Sequence, residues 1–232
     1  RAKQRTSDFK EYISTISGVE AVGDYSVKIT TSKPNPILLN QLSNIFIMSK
    51  AWSEKNFAMS PQNWDAGQET FSATNALGTG PFKITLREPN TKTVFKRNKH
   101  WWGEMKDKKV TQIQLLPVVL VFGFSSAMAK TIKWSMQGDS LTLDPHAQNE
   151  GPTTQVSRQV YEALVERAVD MKIGTALATS WKTTDPNTWI FTLREDVKFS
   201  DGSKMTSADV VFSVLRAKQR TSDFKEYIST IS

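Results

Sequence analysis

The two histidines of the chain, His100 and His146, are the first residues to test for chemistry, and they lie far apart in the sequence. A histidine metal site needs further ligands at characteristic spacings, and the sequence shows none. The chain has no cysteine, which excludes disulfides, thiolate ligands and cysteine nucleophiles. It also has no nucleophile elbow, HExxH motif, phosphate-binding loop or dinucleotide fingerprint. We therefore predict a protein that is not an enzyme, with no cofactor or metal, and with both histidines in surface or loop positions.

A basic stretch with two tryptophans raises nucleic-acid binding as an alternative. Residues Lys92–Lys109 are rich in lysine and include Trp101 and Trp102, and the chain has a formal net charge of +7. Cationic side chains and stacking aromatics are the ingredients of a nucleic-acid surface. Lysines also occur along hairpin edges, where they discourage aggregation between strands. We favour the hairpin edge, so no nucleic-acid partner is expected.

The two ends of the chain carry the same segment. Residues 1–17 recur without change as residues 216–232. Natural repeats normally diverge, and one identical copy at each terminus is not the pattern of a solenoid. The repeat is explained if the chain is a circularly permuted sequence that continues past its starting point and so repeats its first segment. An engineered permutation, a recombination or a domain-swapped arrangement could each produce it. A domain-swapped dimer through residues 1–17 or 216–232 is one expectation.

The middle of the chain resembles the end of a secretory signal peptide. Leu115–Phe124 is an apolar run, and Ser125–Ala129 is a small-residue site that would be cut after Ala129. A buried strand and turn would give a similar pattern. We favour the signal remnant, with residues 118–129 as a connector that cannot direct export from this position. The run is too short to span a bilayer, which takes about 20 apolar residues. The expected natural order is then 130–232 followed by 18–117, with 1–117 as the second half.

Strands and helices must position any site, and their patterns alternate along the chain. With 38% apolar and 23% charged residues, the chain should fold as a single lobe-like domain over 1–232. Period-2 and helical spacings, turn residues and caps predict a mixed α/β fold of α+β character, with antiparallel hairpins and flanking helices. The predicted strands are Lys130–Met136, Trp181–Asp185, Trp189–Arg194, Val19–Val22, Tyr25–Thr30, Val110–Leu115 and a hairpin over Phe82–Arg97. The predicted helices are Thr153–Glu166 with Thr153 or Thr154 as N-cap, Ile37–Leu42, and one that Thr206 and Asp209 begin with a capping box.

Several segments resemble one protein family. The run Trp189–Ser213 is similar to the signature of solute-binding proteins of the peptide/nickel class of ABC transporters. Further similar segments are Leu143–His146, Val160–Leu164, Ala176–Trp181, Gly78–Phe82, Phe95–Asn98 and Trp102–Gly103. The resemblance implies a periplasmic-binding-protein-like lobe with a mixed sheet. It also implies a parent protein in the periplasm that delivers a peptide or other small solute to an ABC permease.

The resemblance also implies which loops reach the ligand. Three loops of the family's first lobe face the cleft, and their counterparts predict ligand contacts at Ser140, Leu141, Asp144, Phe9, Tyr12, Gly78, Thr79 and Gly80. Glycine permits positive φ and close backbone approach, yet Gly78 and Gly80 also suit a tight turn. Tyr12, or its copy Tyr227, sits at helical spacing from Phe9 and Ile16, which equally suits core packing. The family's second lobe, with the acidic residue for a peptide's amino terminus, has no counterpart here. Impaired binding, or a structural fragment with no ligand, is therefore expected.

Overall fold

The computed structural model describes residues 15–63, 67–104, 110–117 and 131–219. The predictions made for Phe9, Tyr12, Tyr227, the connector and most of both repeat copies lie outside these residues. The described elements, in chain order, are β1 (Ile16–Ala21), β2 (Ser26–Thr31), α1 (Leu38–Leu42), α2 (Lys50–Lys55), α3 (Phe71–Thr74), β3 (Phe82–Glu88), β4 (Lys92–Arg97), β5 (Gln112–Pro117), β6 (Thr131–Met136), α4 (Gly151–Val160), β7 (Val165–Arg167), β8 (Ile173–Thr175), β9 (Ala178–Asp185), β10 (Thr188–Leu193) and α5 (Ser207–Ala217). No helix of the described part is long and apolar enough to cross a bilayer.

The first sheet joins strands from opposite ends of the chain. Its order is β1-β2-β10-β9, and every neighbouring pair is antiparallel. The inward residues of β2 and β10, such as Val27, Ile29 and Phe191, are completely buried with Val210 and Val214 of α5. Burial of such side chains contributes about 1.5–3 kcal/mol each. The packing of α5 therefore brings β2 and β10, which are far apart in the sequence, into one core.

The second sheet has the order β3-β4-β5-β6, and its last pair is parallel. Phe82, Phe95 and Leu115 bury one face of this sheet against Val156 and Val160 of α4. Parallel neighbours need a crossover of about a dozen residues or more. Residues 118–130, which join β5 to β6, are thirteen residues and therefore meet that length. A third, two-stranded sheet is made by β7 and β8.

Most predicted elements are confirmed, and the predicted mixed α/β class is confirmed with them. Both long hairpins form, α1 begins one residue later than predicted, and Asp209 accepts a hydrogen bond from the Thr206 backbone N–H at 2.8 Å in the predicted capping box.

The predicted helix Thr153–Glu166 was wrong at both ends. It begins earlier because the Glu150 side chain accepts the Thr153 backbone N–H, so Glu150 and not a threonine is the N-cap. It ends at Val160 because the next residues are extended: the Ile47 N–H donates to the Glu162 carbonyl at 2.8 Å. Tertiary pairing thus overrides the helical spacing of the apolar residues that follow Val160.

Candidate functional site

An arginine of the β3–β4 hairpin holds the predicted ligand loop. The Arg87 guanidinium donates to both the hydroxyl and the carbonyl oxygen of Ser140. Asp139 lies 3.7 Å from the same guanidinium and accepts the Asn90 backbone N–H at 2.8 Å. Burial lowers the pKa of Arg87, and the charge of Asp139 opposes that shift. Ser140 is buried by these contacts, so the loop is anchored before any ligand arrives.

Leu141 is the predicted loop residue whose side chain projects to solvent. It is 57% exposed, while its backbone N–H donates to the Thr153 hydroxyl at 3.1 Å. The same loop borders a cavity of about 320 Å³. The Trp52 and Phe71 rings, 5.5 Å apart between centroids, form part of its wall. Other lining residues are Thr74, Asn75, Ala76, Ile84, Thr85, Leu86, Arg87 and Leu143.

Asp144 lies in the interior and forms an ion pair with Arg216. The guanidinium donates to the two carboxylate oxygens at 2.7 and 2.6 Å, and the Ser72 hydroxyl donates at 2.8 Å. Both charged side chains are completely buried. Burial alone would raise the pKa of Asp144, but Arg216 and His146 more than offset it, so the pKa lies below its ordinary value. In this arrangement the carboxylate holds the loop to α5; a ligand contact by Asp144 stays a prediction.

His146 lies in the loop between β6 and α4, as predicted, but its side chain is completely buried. Its Nε2 lies 2.8 Å from the Phe46 carbonyl oxygen, which can only accept, so Nε2 carries the proton. Its Nδ1 then accepts from Arg216 at 3.1 Å. Burial and the charge of Arg216 lower the pKa of His146 to about 3. A neutral imidazole is thus built into the ion-pair cluster.

The Gly78-Thr79-Gly80 turn packs against the end of α4. A Cβ on Gly78 would overlap the Val160 carbonyl oxygen, and one on Gly80 would lie 2.7 Å from the Val160 carbonyl carbon. The Gly80 N–H donates to that same carbonyl at 2.8 Å. Neither glycine has a positive φ. Both positions require glycine because the turn lies against the Val160 backbone, where a side chain would not fit. A ligand contact at this turn stays a prediction.

Glu162 accepts hydrogen bonds from both tryptophans of the basic stretch, at 3.0 Å from Trp101 Nε1 and 2.9 Å from Trp102 Nε1. Burial raises the pKa of Glu162, while the hydrogen bonds from these two indoles oppose the shift. Arg194 stacks on the Trp102 ring at 3.8 Å. The carboxylate borders a cavity of about 430 Å³ that also includes Arg158, Glu104 and Glu166. The indole N–H groups are thus bonded to a carboxylate of the protein itself, and both tryptophans are half-buried; the absence of a nucleic-acid partner stays a prediction.

The sequence did not predict the roles of Arg87, Arg216 and Glu162. Arg87 bonds to Ser140, Arg216 pairs with Asp144, and Glu162 accepts from Trp101 and Trp102. A signal was present for Arg216, because it follows Phe212 by one helical turn and so falls on the buried face of α5. A charge on an apolar face calls for a buried partner. Among the described residues, no group of three or more histidine, aspartate or glutamate side chains could hold a metal ion.

Comparison with known proteins shows the family of the chain. The chain belongs to the bacterial extracellular solute-binding proteins, family 5, whose model matches residues 1–132 and 172–230. The periplasmic oligopeptide-binding protein of Escherichia coli is 33% identical over 95 residues, covering 41% of this chain and 18% of that protein. The periplasmic murein peptide-binding protein of the same organism is 36% identical over 78 residues, or 34% of this chain and 14% of that protein.

A glutathione-binding protein of Salmonella typhimurium is 30% identical over 108 residues, covering 46% of this chain and 21% of that protein. The matches with these three relatives therefore span about a seventh to a fifth of the relatives' length. No solved structure matches the chain.

Proposed function

We propose that the chain is part of the solute-binding component of an ABC importer, which takes up a peptide or similar small solute in the periplasm for a membrane permease. Family membership supports this function, as do relatives named for oligopeptides, murein peptides and glutathione. These ligands share a peptide-like main chain with amide and carboxylate groups, which polar loops recognise by hydrogen bonding.

The anchored loop beside the aromatic cavity is the observation that favours peptide binding by this lobe. Arg87 fixes Ser140, Leu141 of the same loop is exposed to solvent, and Leu143 of that loop lines a cavity partly walled by Trp52 and Phe71. A fixed loop loses little conformational entropy when a ligand binds, and aromatic walls accept varied side chains. The proposed contact surface is therefore the loop around Leu141 with this cavity.

We further propose that this lobe is one wall of a two-walled site, with natural order 130–232 followed by 18–117. The parallel pairing of β5 with β6 and the length of 118–130 agree with a connector joining two former ends. A single wall removes less ligand surface from water than a closed clamp does, so we expect weakened binding. The importer function belongs to the parent protein, and a weak peptide site is what this chain retains.

Calorimetric titration with di- to pentapeptides tests the proposal. We expect weak binding, in the micromolar to millimolar range, that Leu141→Asp abolishes because a charge then faces the peptide main chain. Val169→Asp is the matched control, since Val169 is a fully exposed apolar residue of the β7–β8 turn. If the folded wild-type chain shows no heat of binding at millimolar peptide, the chain is better described as a structural fragment that binds no ligand. Equal loss in both variants would place the site elsewhere.

A further inference from the structure

Arg87 is the single charged residue among the described residues that line the cavity of about 320 Å³. The other lining residues are aromatic, aliphatic or neutral and polar, and Trp52 and Phe71 supply the aromatic part. An apolar wall screens a charge less than water does, so the positive charge acts strongly on a ligand in this cavity. The cavity therefore suits a ligand that carries a negative group beside an apolar one.

A β-bulge in β3 explains how Arg87 reaches this cavity. The pairing of β3 with β4 shifts register between Ile84 and Leu86, and Thr85 lies between these two residues without a register partner. Successive side chains of a regular strand point to opposite faces, whereas a bulge redirects them. The cavity lining agrees with this, because it includes all four residues from Ile84 to Arg87. The bulge thus places a guanidinium in an otherwise uncharged wall.

The charge of Arg87 is only partly compensated within the described part of the chain. Its two hydrogen bonds there both go to Ser140, whose hydroxyl and carbonyl oxygens are uncharged. The Asp139 carboxylate lies 3.7 Å away, too far for a hydrogen bond, and its two oxygens accept the backbone N–H groups of Ser140 and Asn90.

The guanidinium of Arg87 therefore keeps donors for a further acceptor. It has five N–H groups, of which the two hydrogen bonds to Ser140 use two. Only 10% of the side chain is exposed, so little water reaches it, and burial lowers its pKa. A second anion at this place would offset the cost of burying the charge.

We propose that Arg87 binds a carboxylate of the ligand, and that Trp52 and Phe71 contact an apolar or aromatic side chain next to that carboxylate. The inference rests on the proposed peptide-binding function and narrows it to ligands with a free carboxylate beside an apolar group, at the carboxyl end or on an acidic side chain. A guanidinium binds the two oxygens of a carboxylate in a fork geometry that an amide does not match. Because Arg87 also holds Ser140, one side chain connects the charge of the ligand to the position of the loop.

Calorimetric titration with three matched peptides tests the carboxylate. Ala-Ala-Phe with a free carboxyl end should bind about tenfold or more tightly than its carboxyl amide, because hydrogen bonds to charged groups are the stronger ones. Ala-Asp-Phe amide distinguishes the source: tight binding assigns the carboxylate to a side chain, and weak binding assigns it to the carboxyl end. If Ala-Ala-Phe and its amide bind equally, the inference is wrong while peptide binding stands. If none of the three peptides binds, the proposed function is contradicted and the inference with it.

Arg87→Gln should remove the preference for the free carboxylate, because glutamine keeps hydrogen-bond donors but carries no charge. Loss of the Ser140 contact alone would weaken the acid and the amide equally, so the ratio of their affinities separates ligand binding from loop positioning. Lys83→Gln is the matched control, since it removes one positive charge from the same strand at a residue that does not line the cavity. A ratio that persists in Arg87→Gln, or that falls equally in Lys83→Gln, contradicts a contact by Arg87.

Phe71→Ala tests the apolar half of the site. Phe71 is exposed in part, so its truncation should leave the fold intact. The variant should lose most of the preference for Ala-Ala-Phe over Ala-Ala-Gly and keep the preference for the acid over the amide. Phe57→Ala is the control, because Phe57 is an exposed phenylalanine that does not line the cavity. An unchanged side-chain preference in Phe71→Ala would contradict the role of the aromatic wall.

Discussion

Arg216 connects three separate parts of the chain at a single guanidinium. Besides its ion pair with Asp144, Nε donates to the Ala58 carbonyl at 3.1 Å and Nη2 to the Ser60 carbonyl at 2.9 Å. Removing two charges from water has a large free-energy cost, which only complete hydrogen bonding offsets. Here both carboxylate oxygens and every nitrogen of the fork are satisfied. The cluster therefore fixes the fold's geometry more than it adds net stability.

Replacing Arg216 by alanine should destabilise the protein strongly. The change leaves the buried Asp144 carboxylate without its charge partner, and such losses cost about 3–5 kcal/mol. Arg1→Ala is the matched control, because Arg1 is the same position of the other repeat copy. Urea unfolding of the two variants measures the difference. Equal losses would mean that the two copies share the position at the end of α5.

His146 should make stability depend on pH. Its folded pKa of about 3 lies below the ordinary value near 6.5, so between these values the unfolded chain binds a proton that the folded chain does not. The stability is present above pH 6.5 and is lost as pH falls towards 3, by up to about 1.4 kcal/mol per pH unit. The depressed pKa of Asp144 adds a loss below about pH 4.

Denaturant unfolding between pH 7 and pH 4 measures this slope. His146→Gln should flatten it, because an amide can replace the hydrogen bond to Phe46 without titrating. His100→Gln, which removes a histidine outside the cluster, is the matched control. An unchanged slope in His146→Gln would assign the pH dependence to other groups.

For Asp144 and His146, the sequence shows which residue types could bind or do chemistry, but it does not show which residues they contact in the fold. The sequence predicts Asp144 as a ligand contact, but the partner of its carboxylate lies 72 positions away and belongs to a terminal repeat. His146 follows an Asp-Pro turn that favours an exposed loop, and only the convergence of Phe46 and Arg216 buries it. Residues that are far apart in the sequence show no characteristic local spacing. These contacts could therefore be assigned only from the three-dimensional structure.

At the scale of elements, the Gly-Thr-Gly turn is the contact on which the β3–β4 hairpin meets α4. Gly80 pairs with the last carbonyl of the helix, and the Asn98 amide donates to the Gly80 carbonyl at 2.9 Å. The turn therefore fixes the position of the β3–β4 hairpin relative to α4.

Gly78→Ala should destabilise the protein by about 1–3 kcal/mol, because the new methyl group overlaps the Val160 carbonyl and the turn must shift. Gly151→Ala is the control: a Cβ there has nothing within 4 Å, and alanine favours a helix by up to about 1 kcal/mol. Thermal unfolding compares the two variants. A Gly78→Ala protein with native stability and weaker peptide binding would instead place the turn at the ligand.

Strands and turns could be predicted well because their signals are local. Alternation and the Glu88–Asn90 and Asp185–Asn187 turns predict both long hairpins within a few residues. The end of α4 could not be predicted, since Ala163 and Leu164 keep helical spacing while they pair and pack as extended chain. Apolar residues signal burial, and the surrounding strands decide in which conformation they are buried.

For the whole molecule, both four-stranded sheets depend on contacts between the two predicted halves of the chain. β2 pairs with β10 in one sheet and β5 with β6 in the other. The terminal repeat and the signal-like run predicted a circular order from sequence. The sheet orders could not be predicted, because pairing across such separations depends on tertiary packing.

A chain reordered as 130–232 followed by 18–117 should fold to the same structure with similar stability. Reordering opens the thirteen-residue link 118–130 and closes a ten-residue link, 220–229, between the former ends. Loop-closure entropies of such similar lengths cancel to within about 0.5 kcal/mol. Circular dichroism and urea unfolding compare the two chains. Failure of the reordered chain to unfold cooperatively would show that the connector is integral to the fold.

β6 is the edge strand of the second sheet in the described part of the chain, and this affects how the protein behaves at high concentration. In the described sheet β6 pairs on one side with β5, and it exposes Ile132 to 44% and Trp134 to 59%. An unpaired strand with apolar side chains is a template on which another molecule can add a strand. Lys133, between these two residues, opposes such stacking by charge repulsion. Colloidal stability at this border therefore depends on ionic strength, because salt weakens the repulsion that this lysine supplies.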